Sequence, residues 1–342
     1  MLPVVSSSGW AARARLGPVD PTWPSPAASS ELSCHGMSPA LRALRLEPRS
    51  CPSCGAIESV VSRPAKLDAR RFGEFTFSSR KQPDGMHHRL LLCTECELLY
   101  ASPAPTQESL HGVYREAAYD SGEEARFASL TYAALLRTVL DDLPTAGGAL
   151  DIGAGDGAFL RHLVAAGFDD VIGIEPSAAP VATAAPDVRG RIQSGLFDPE
   201  AFEASRFRLV TAFQTLEHVA DPLGLCLGAN RLLRTGGALI VVCHNRKAPA
   251  NRLLGRRSPI FDVEHLQLFC PDSLRRLLER AGFRHIRLRA VTNRYPLGYW
   301  ARLFPLPGPL KGPALTALRR SGLGRVPLGL PAGNFAAIAF KG

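Results

Sequence analysis

The segment ALDIGAGDGAFL, Ala149 to Leu160, restricts the folds open to this 342-residue chain more than any other stretch. Leu150 and Ile152 close an apolar strand. Gly153, Gly155 and Gly157 then allow a tight turn in which the backbone approaches a ligand closely. A helix follows, with Phe159, Leu160, Leu163 and Val164 at helical spacing and Gly167 as its stop. Strand, glycine turn and helix together present backbone N–H groups at a helix N-terminus. Asp151 adds a carboxylate at the strand end, which repels a pyrophosphate and suits an amino group or a sulfonium. A second strand, Val171 to Ile174, runs into Glu175, whose two oxygens suit two ribose hydroxyls.

Strands and helices continue to alternate, which predicts an α/β fold with a parallel sheet. Strands are expected at 148–153, 170–174, 191–194, 208–213, 237–244, 285–292 and 334–340. Helices are expected within 106–146, near 223–234 and after Pro271. Dinucleotide-binding folds use a similar glycine turn. Four segments in order separate the two readings: DIGAGDG, the acid within GIEPS (Gly173 to Ser177), FRLVTAFQTLEHVADP and LLRTGGALIVV. With them, the region from Gly147 to Gly342 resembles the class I S-adenosylmethionine-dependent methyltransferases. The resemblance implies a Rossmann-like seven-stranded fold whose last strand enters antiparallel beside the sixth, after a substrate-side insertion at 296–332. It also implies S-adenosyl-L-methionine as cofactor. Asp151, Gly153, Ala154 and Gly155 would meet its methionine part, Glu175 its ribose, Leu196 and Phe197 its adenine, and Phe213 and Gln214 its sulfonium. Tyr114 and Tyr119 are expected to cover it from the preceding helix.

Eight cysteines in a chain of this length do not form a secreted disulfide framework. Four of them make two Cys-x-x-Cys pairs, Cys51/Cys54 and Cys93/Cys96, separated by 38 residues. That spacing suits a structural, tetrahedral Zn²⁺ in a zinc ribbon, and four thiolates leave no open position for catalysis. Gly55 occupies the usual turn after the first knuckle, whereas Glu97 stands where a second glycine is common. Short β-prone stretches, Phe72 to Phe77 and His88 to Leu92, lie between the pairs. The chain thus divides into a Pro-, Ser- and Ala-rich extension over 1–46, expected to be disordered, a zinc-ribbon module over 47–104 and a methyltransferase domain over 105–342. Met37 is an alternative start. The segment running from CTEC to Asp120 resembles the junction found in a bacterial group of these enzymes, whose members act on sugars and other small molecules.

The net charge of +9 is unevenly spread. Residues 231–342 carry 20 basic and 4 acidic side chains, and residues 101–230 carry 8 and 18. A basic C-terminal third points to an anionic small-molecule substrate, such as a nucleotide-linked sugar or a glycan precursor. RNA or a peripheral membrane contact fits the same charge. No apolar run is long enough for a transmembrane helix, and a cytoplasmic setting is expected. Oligomeric state is not legible.

Methyl transfer from a sulfonium is an in-line displacement in which the protein mainly aligns the acceptor and excludes water. A hydroxyl or acidic-carbon acceptor gains from a general base, and histidine suits that work. His265, in FDVEHLQLFCPDSL, and His218, after the fourth strand, are the expected catalytic residues, ahead of His244 at the end of the fifth. Glu217 is expected to orient His218 or to cap the next helix. Tyr295, Tyr299, Trp300 and Phe304 are expected to roof a substrate pocket or to form a membrane-surface lid. The expected function is methyl transfer to a small molecule. The alternatives are an rRNA methyltransferase with a zinc ribbon and a non-catalytic binding protein that keeps the fold.

Overall fold

A computed structural model describes residues 41, 43–78, 84–119, 122–304 and 308–342. The extension expected over 1–46 lies, up to residue 40, outside the described residues. Seven strands form the central sheet: β1 Gly148–Ile152, β2 Val171–Glu175, β3 Ile192–Ser194, β4 Phe207–Phe213, β5 Leu233–His244, β6 Phe283–Pro296 and β7 Pro327–Lys341. Their order is β6-β7-β5-β4-β1-β2-β3. The first five strands are parallel, and β7 runs antiparallel between β5 and β6. Strand order reverses beside β1, which opens a crevice outside the carboxyl ends of β1 and β4.

β1, β2, β4 and the second half of β5 are almost wholly apolar because helices cover both faces. Leu150, Ile152, Val210 and Val241 pack on Leu274 and Leu277 of helix Pro271–Arg280. Ala149, Leu209, Ile240 and Val242 pack on the other side, with Tyr132 and Leu136 of helix Gly122–Leu136 and with Leu160 and Leu163. The helical region expected over 106–146 is two helices, Gln107–Glu116 and Gly122–Leu136, followed by a short 3₁₀ turn. Asp221, not Glu217, caps helix Pro222–Leu232: its Oδ1 accepts from the Gly224 N–H at 2.9 Å.

Two further expectations change. Phe72 to Phe77 is a series of turns rather than a strand. Phe72 and Phe77 are buried in one cluster with Leu110 and Val113 of helix Gln107–Glu116, while Phe75 is exposed, so burial and not strand pairing explains the two buried rings. The insertion expected over 296–332 is shorter. β6 and β7 continue as a two-stranded ribbon as far as the pairing of Pro296 with Pro327. Prolines are tolerated at the end of such a ribbon. What remains is a cap built from helices Leu297–Leu303 and Gly308–Arg320.

The cysteine region is joined to this body. Strands Ser59–Arg63, Leu90–Cys93 and Leu99–Ala101 form an antiparallel sheet whose fourth strand, Gln267–Leu268, comes from the far end of the chain. Cys51, Cys93 and Cys96 share a core with Phe269, Leu274 and Leu277.

Candidate active site

A cavity of about 490 Å³ runs from the glycine turn to a cluster of histidines. At the turn, Gly153, Gly155 and Gly157 have φ of 81°, 58° and 74°, a region that favours glycine. At Gly153 the space is closed as well, since a Cβ would lie 2.6 Å from Thr215 Oγ1. Asp151 is buried at the end of β1, where Oδ1 accepts from Thr211 Oγ1 at 2.6 Å. Glu175 is oriented from two sides: Oε2 accepts from the Gly155 N–H at 2.7 Å and Oε1 from the Ser177 N–H at 2.8 Å. A carboxylate offers several lone-pair sites, which is why this group suits hydroxyl donors.

Leu196 and Phe197 line the same cavity, as do Ala154, Phe213 and Gln214. Phe213 is stacked on Tyr132 at 4.1 Å between ring centroids and meets Phe159 edge-on at 4.9 Å. Gln214 sits at φ 54°, unusual for a side-chain-bearing residue, and its buried Nε2 has no hydrogen-bond partner among the described residues. A strained residue with an orphaned donor at a strand end is a feature of ligand sites. Tyr114 lines the cavity; Tyr119 does not, and its hydroxyl donates to Asp156 Oδ2.

At the other end three histidines meet. His265 lies between the other two, with ring centroids 4.8 Å from His218 and 5.0 Å from His244. His265 Nδ1 is 2.8 Å from the Ile260 carbonyl oxygen. A carbonyl only accepts, so Nδ1 carries the proton and Nε2 is the basic nitrogen. His218 Nδ1 faces the Tyr114 hydroxyl at 3.3 Å and Glu264 Oε2 at 3.7 Å. Burial and the carboxylates of Glu264 and Asp262 hold the Tyr114 phenol well above its ordinary pKa, so it stays a donor. His244 donates from Nδ1 to Asn334 Oδ1 at 2.7 Å. Burial, with the neighbouring His265, pulls its pKa down to about 3 and keeps it neutral.

Glu217 lies beneath this cluster, fully buried. Its Oε1 accepts from the His244 backbone N–H at 2.7 Å, so it neither orients His218 nor caps a helix. Burial pushes its carboxyl up to about 7. Glu264, Asp262, Asn334 and Asn251 complete this end. Only Glu264 carried a signal in the sequence, its place beside His265; the asparagines carried none. Tyr295, Tyr299, Trp300 and Leu303 form the cavity wall nearest the cap, while Phe304 points away and is exposed.

The four cysteines Cys51, Cys54, Cys93 and Cys96 converge, with all sulfurs within 4.8 Å. Cys51 and Cys96 Sγ are 3.5 Å apart, as are Cys54 and Cys93 Sγ. Zn–S bonds of about 2.3 Å in a tetrahedron require sulfurs about 3.8 Å apart. Nearby backbone N–H groups favour the thiolate forms: those of Ser53 and Cys54 at Cys51, that of Ala56 at Cys54 and that of Leu98 at Cys96. The donor set and its amide support fit a closed Zn²⁺ site. Glu97 adopts φ 59° in place of a glycine, and its carboxylate pairs with Lys247 and Arg246 across the module boundary.

Residues 124–288 match the family described as "Methyltransferase domain". A curated relative is the ubiquinone biosynthesis O-methyltransferase of a Ruegeria species, 30% identical over 181 residues that span 48% of this chain and 72% of that protein. Among solved structures, a possible histamine N-methyltransferase from Thermotoga maritima is 20% identical, with a TM-score of 0.42 over 64% of this chain and 91% of its own. A protein from Bacillus halodurans named as a putative methyltransferase is 19% identical, with a TM-score of 0.43 over 61% of this chain and 98% of its own. With the family match, the curated relative and the seven-stranded sheet together, the chain belongs to the S-adenosylmethionine-dependent methyltransferases.

Proposed function

We propose that the chain methylates a small-molecule acceptor that presents a hydroxyl or an acidic C–H to His265. The observation that carries this reading is the continuity of one cavity between the Glu175 turn and the basic Nε2 of His265. When bound, S-adenosylmethionine supplies an activated methyl group. The chain's own residues supply the alignment. Asp151 and Glu175 hold the amino and ribose ends, and Leu196 and Phe197 border the adenine. The packed rings of Phe213, Tyr132 and Phe159 exclude water beside the sulfonium. His265 takes the acceptor proton at Nε2 while its Nδ1–H stays on the Ile260 carbonyl, and His218 stands beside it.

Among the described residues the cavity lining includes Asp151, Asp156, Glu175, Asp221, Asp262 and Glu264 but no lysine or arginine. Such a lining suits a reacting moiety rich in O–H or N–H donors and does not suit a phosphate. An anionic acceptor such as a nucleotide-linked sugar would therefore place its sugar inside and its phosphates on the basic surface of the C-terminal third. The name of the Ruegeria relative, an O-methyltransferase, supports a hydroxyl acceptor. The four cysteines are assigned to a structural Zn²⁺ as thiolates, and such a site suits a reducing, cytoplasmic setting. Among the described residues no helix is long and apolar enough to cross a membrane.

The test is label transfer from methyl-labelled S-adenosylmethionine to a panel of nucleotide-linked sugars and phenols, with ribosomal RNA as the competing acceptor. Label on a small molecule, lost in His265→Gln, supports the reading. Label on RNA alone overturns it.

A further inference from the structure

Among the described residues the cysteine module lines no part of the cavity, yet Arg49 ties it to the histidine end. Arg49 stands two residues ahead of Cys51. Its guanidinium donates from Nε to the Ala101 carbonyl at 2.9 Å, from Nη1 to the Ala220 carbonyl at 2.8 Å, and from Nη2 to the Leu266 carbonyl at 2.9 Å and Gln267 Oε1 at 2.8 Å. Ala101 ends the last module strand, Ala220 follows His218 by two residues, and Leu266 follows His265 directly. Gln267, fully buried, then donates from Nε2 to the carbonyls of Leu216 and Val219, on either side of His218. The Leu266 N–H donates to the Glu217 carbonyl at 2.8 Å, and the Ala101 N–H to the Leu266 carbonyl at 2.7 Å.

The loops bearing His218 and His265 are thus fixed to each other by side-chain bonds and to the module by the same groups. A planar guanidinium reaches four acceptors at once, which an ammonium does not. An error of about 1 Å in such a loop is enough to cost catalysis heavily. We propose that the four-cysteine module is the frame of the acceptor site, and that Arg49 and Gln267 are positioning residues holding His218 and His265 in register against it. The proposal rests on the reading that these histidines face the acceptor.

The test needs no acceptor. The full-length chain is labelled with ¹⁵N at histidine, and Arg49→Lys and Gln267→Met are compared with the wild type. The ring resonances and titration midpoints of His218 and His265 are expected to move in both variants, while those of His162, on the cofactor side, stay in place. Amide exchange at Leu266 is expected to be on the order of tenfold faster, and calorimetric affinity for S-adenosylmethionine to stay within about twofold. Unchanged His218 and His265 resonances overturn the proposal. So does a cofactor affinity that falls with them, because Arg49 then supports the whole fold rather than one site. Should Arg49→Lys not fold, Gln267→Met decides alone. Since no methyl transfer is read, failure here leaves the assignment of His265 as base intact. Full turnover in His265→Gln would instead overturn that assignment and leave the clasp standing.

Discussion

The cofactor end and the histidine end of the cavity are built by different means. At the cofactor end, positions follow from backbone: strand ends, a glycine turn and N–H groups that orient Glu175. At the histidine end, a few backbone bonds are joined by side chains that reach across more than a hundred residues, as Arg49 does to Ala220 and Leu266. A backbone-built site tolerates change in its surroundings and fails when its own turn is altered. A side-chain-built site fails when distant supports are removed. The two ends should therefore be separable by mutation.

The largest expected effect is on the frame. Structural Zn²⁺ contributes on the order of 10 kcal/mol or more in small zinc modules. Cys93→Ala, or stripping the metal with a chelator, is expected to unfold the module and the core it shares with Phe269 and Leu274. Metal analysis and thermal melting read this together. Folded protein with no bound metal and an unchanged melting temperature would remove the zinc assignment.

Next comes the proposed base. His265→Gln is expected to reduce turnover by about 10²- to 10⁴-fold while cofactor affinity holds.

Glu217 and His244 give a smaller, pH-dependent effect. Glu217, held up to about 7 against an ordinary 4.5, binds more protons folded than unfolded between those values. Its contribution is present below about 4.5 and is lost as pH rises through about 7. His244, held down to about 3 from 6.5, acts in the opposite sense: its contribution is present above about 6.5 and is lost as pH falls toward 3. Melting temperatures from pH 4 to 8 are expected to lose their alkaline-side decline in Glu217→Gln and part of their acid-side decline in His244→Gln. Each change is a few kcal/mol at most, on the order of 1.4 kcal/mol per unit of pKa.

Glu97→Gly should have the smallest effect. Relief of the left-handed backbone favours glycine by up to about 1 kcal/mol, and loss of the half-exposed ion pairs to Lys247 and Arg246 costs a similar amount. A net change beyond about 1 kcal/mol in a denaturant titration would show that Glu97 has a larger part in seating the module.

What the sequence made legible follows the same division. The turn around Gly153, the acids Asp151 and Glu175, and the order of seven strands depend on neighbours in the chain, so local pattern reveals them. Arg49 and Gln267 act through contacts with Ala220, Leu266 and Val219 that no local pattern announces. Glu217 reads as a helix cap by its place before His218, yet burial under β5 gives it a different partner. The insertion expected over 296–332 is shorter because Pro296 and Pro327 pair at the end of a ribbon that accepts prolines there, a long-range pairing with no local signal.

Calorimetric titration of S-adenosylmethionine into the wild type, Glu175→Gln and His265→Gln tests the central claim most directly. Loss of one charge-assisted acceptor for the ribose is expected to weaken binding by roughly 2–3 kcal/mol, about 30- to 150-fold, in Glu175→Gln. His265→Gln should bind as the wild type does. Equal affinity in Glu175→Gln, or a loss of binding in His265→Gln, would contradict a cofactor site built at the glycine turn and an acceptor site built apart from it.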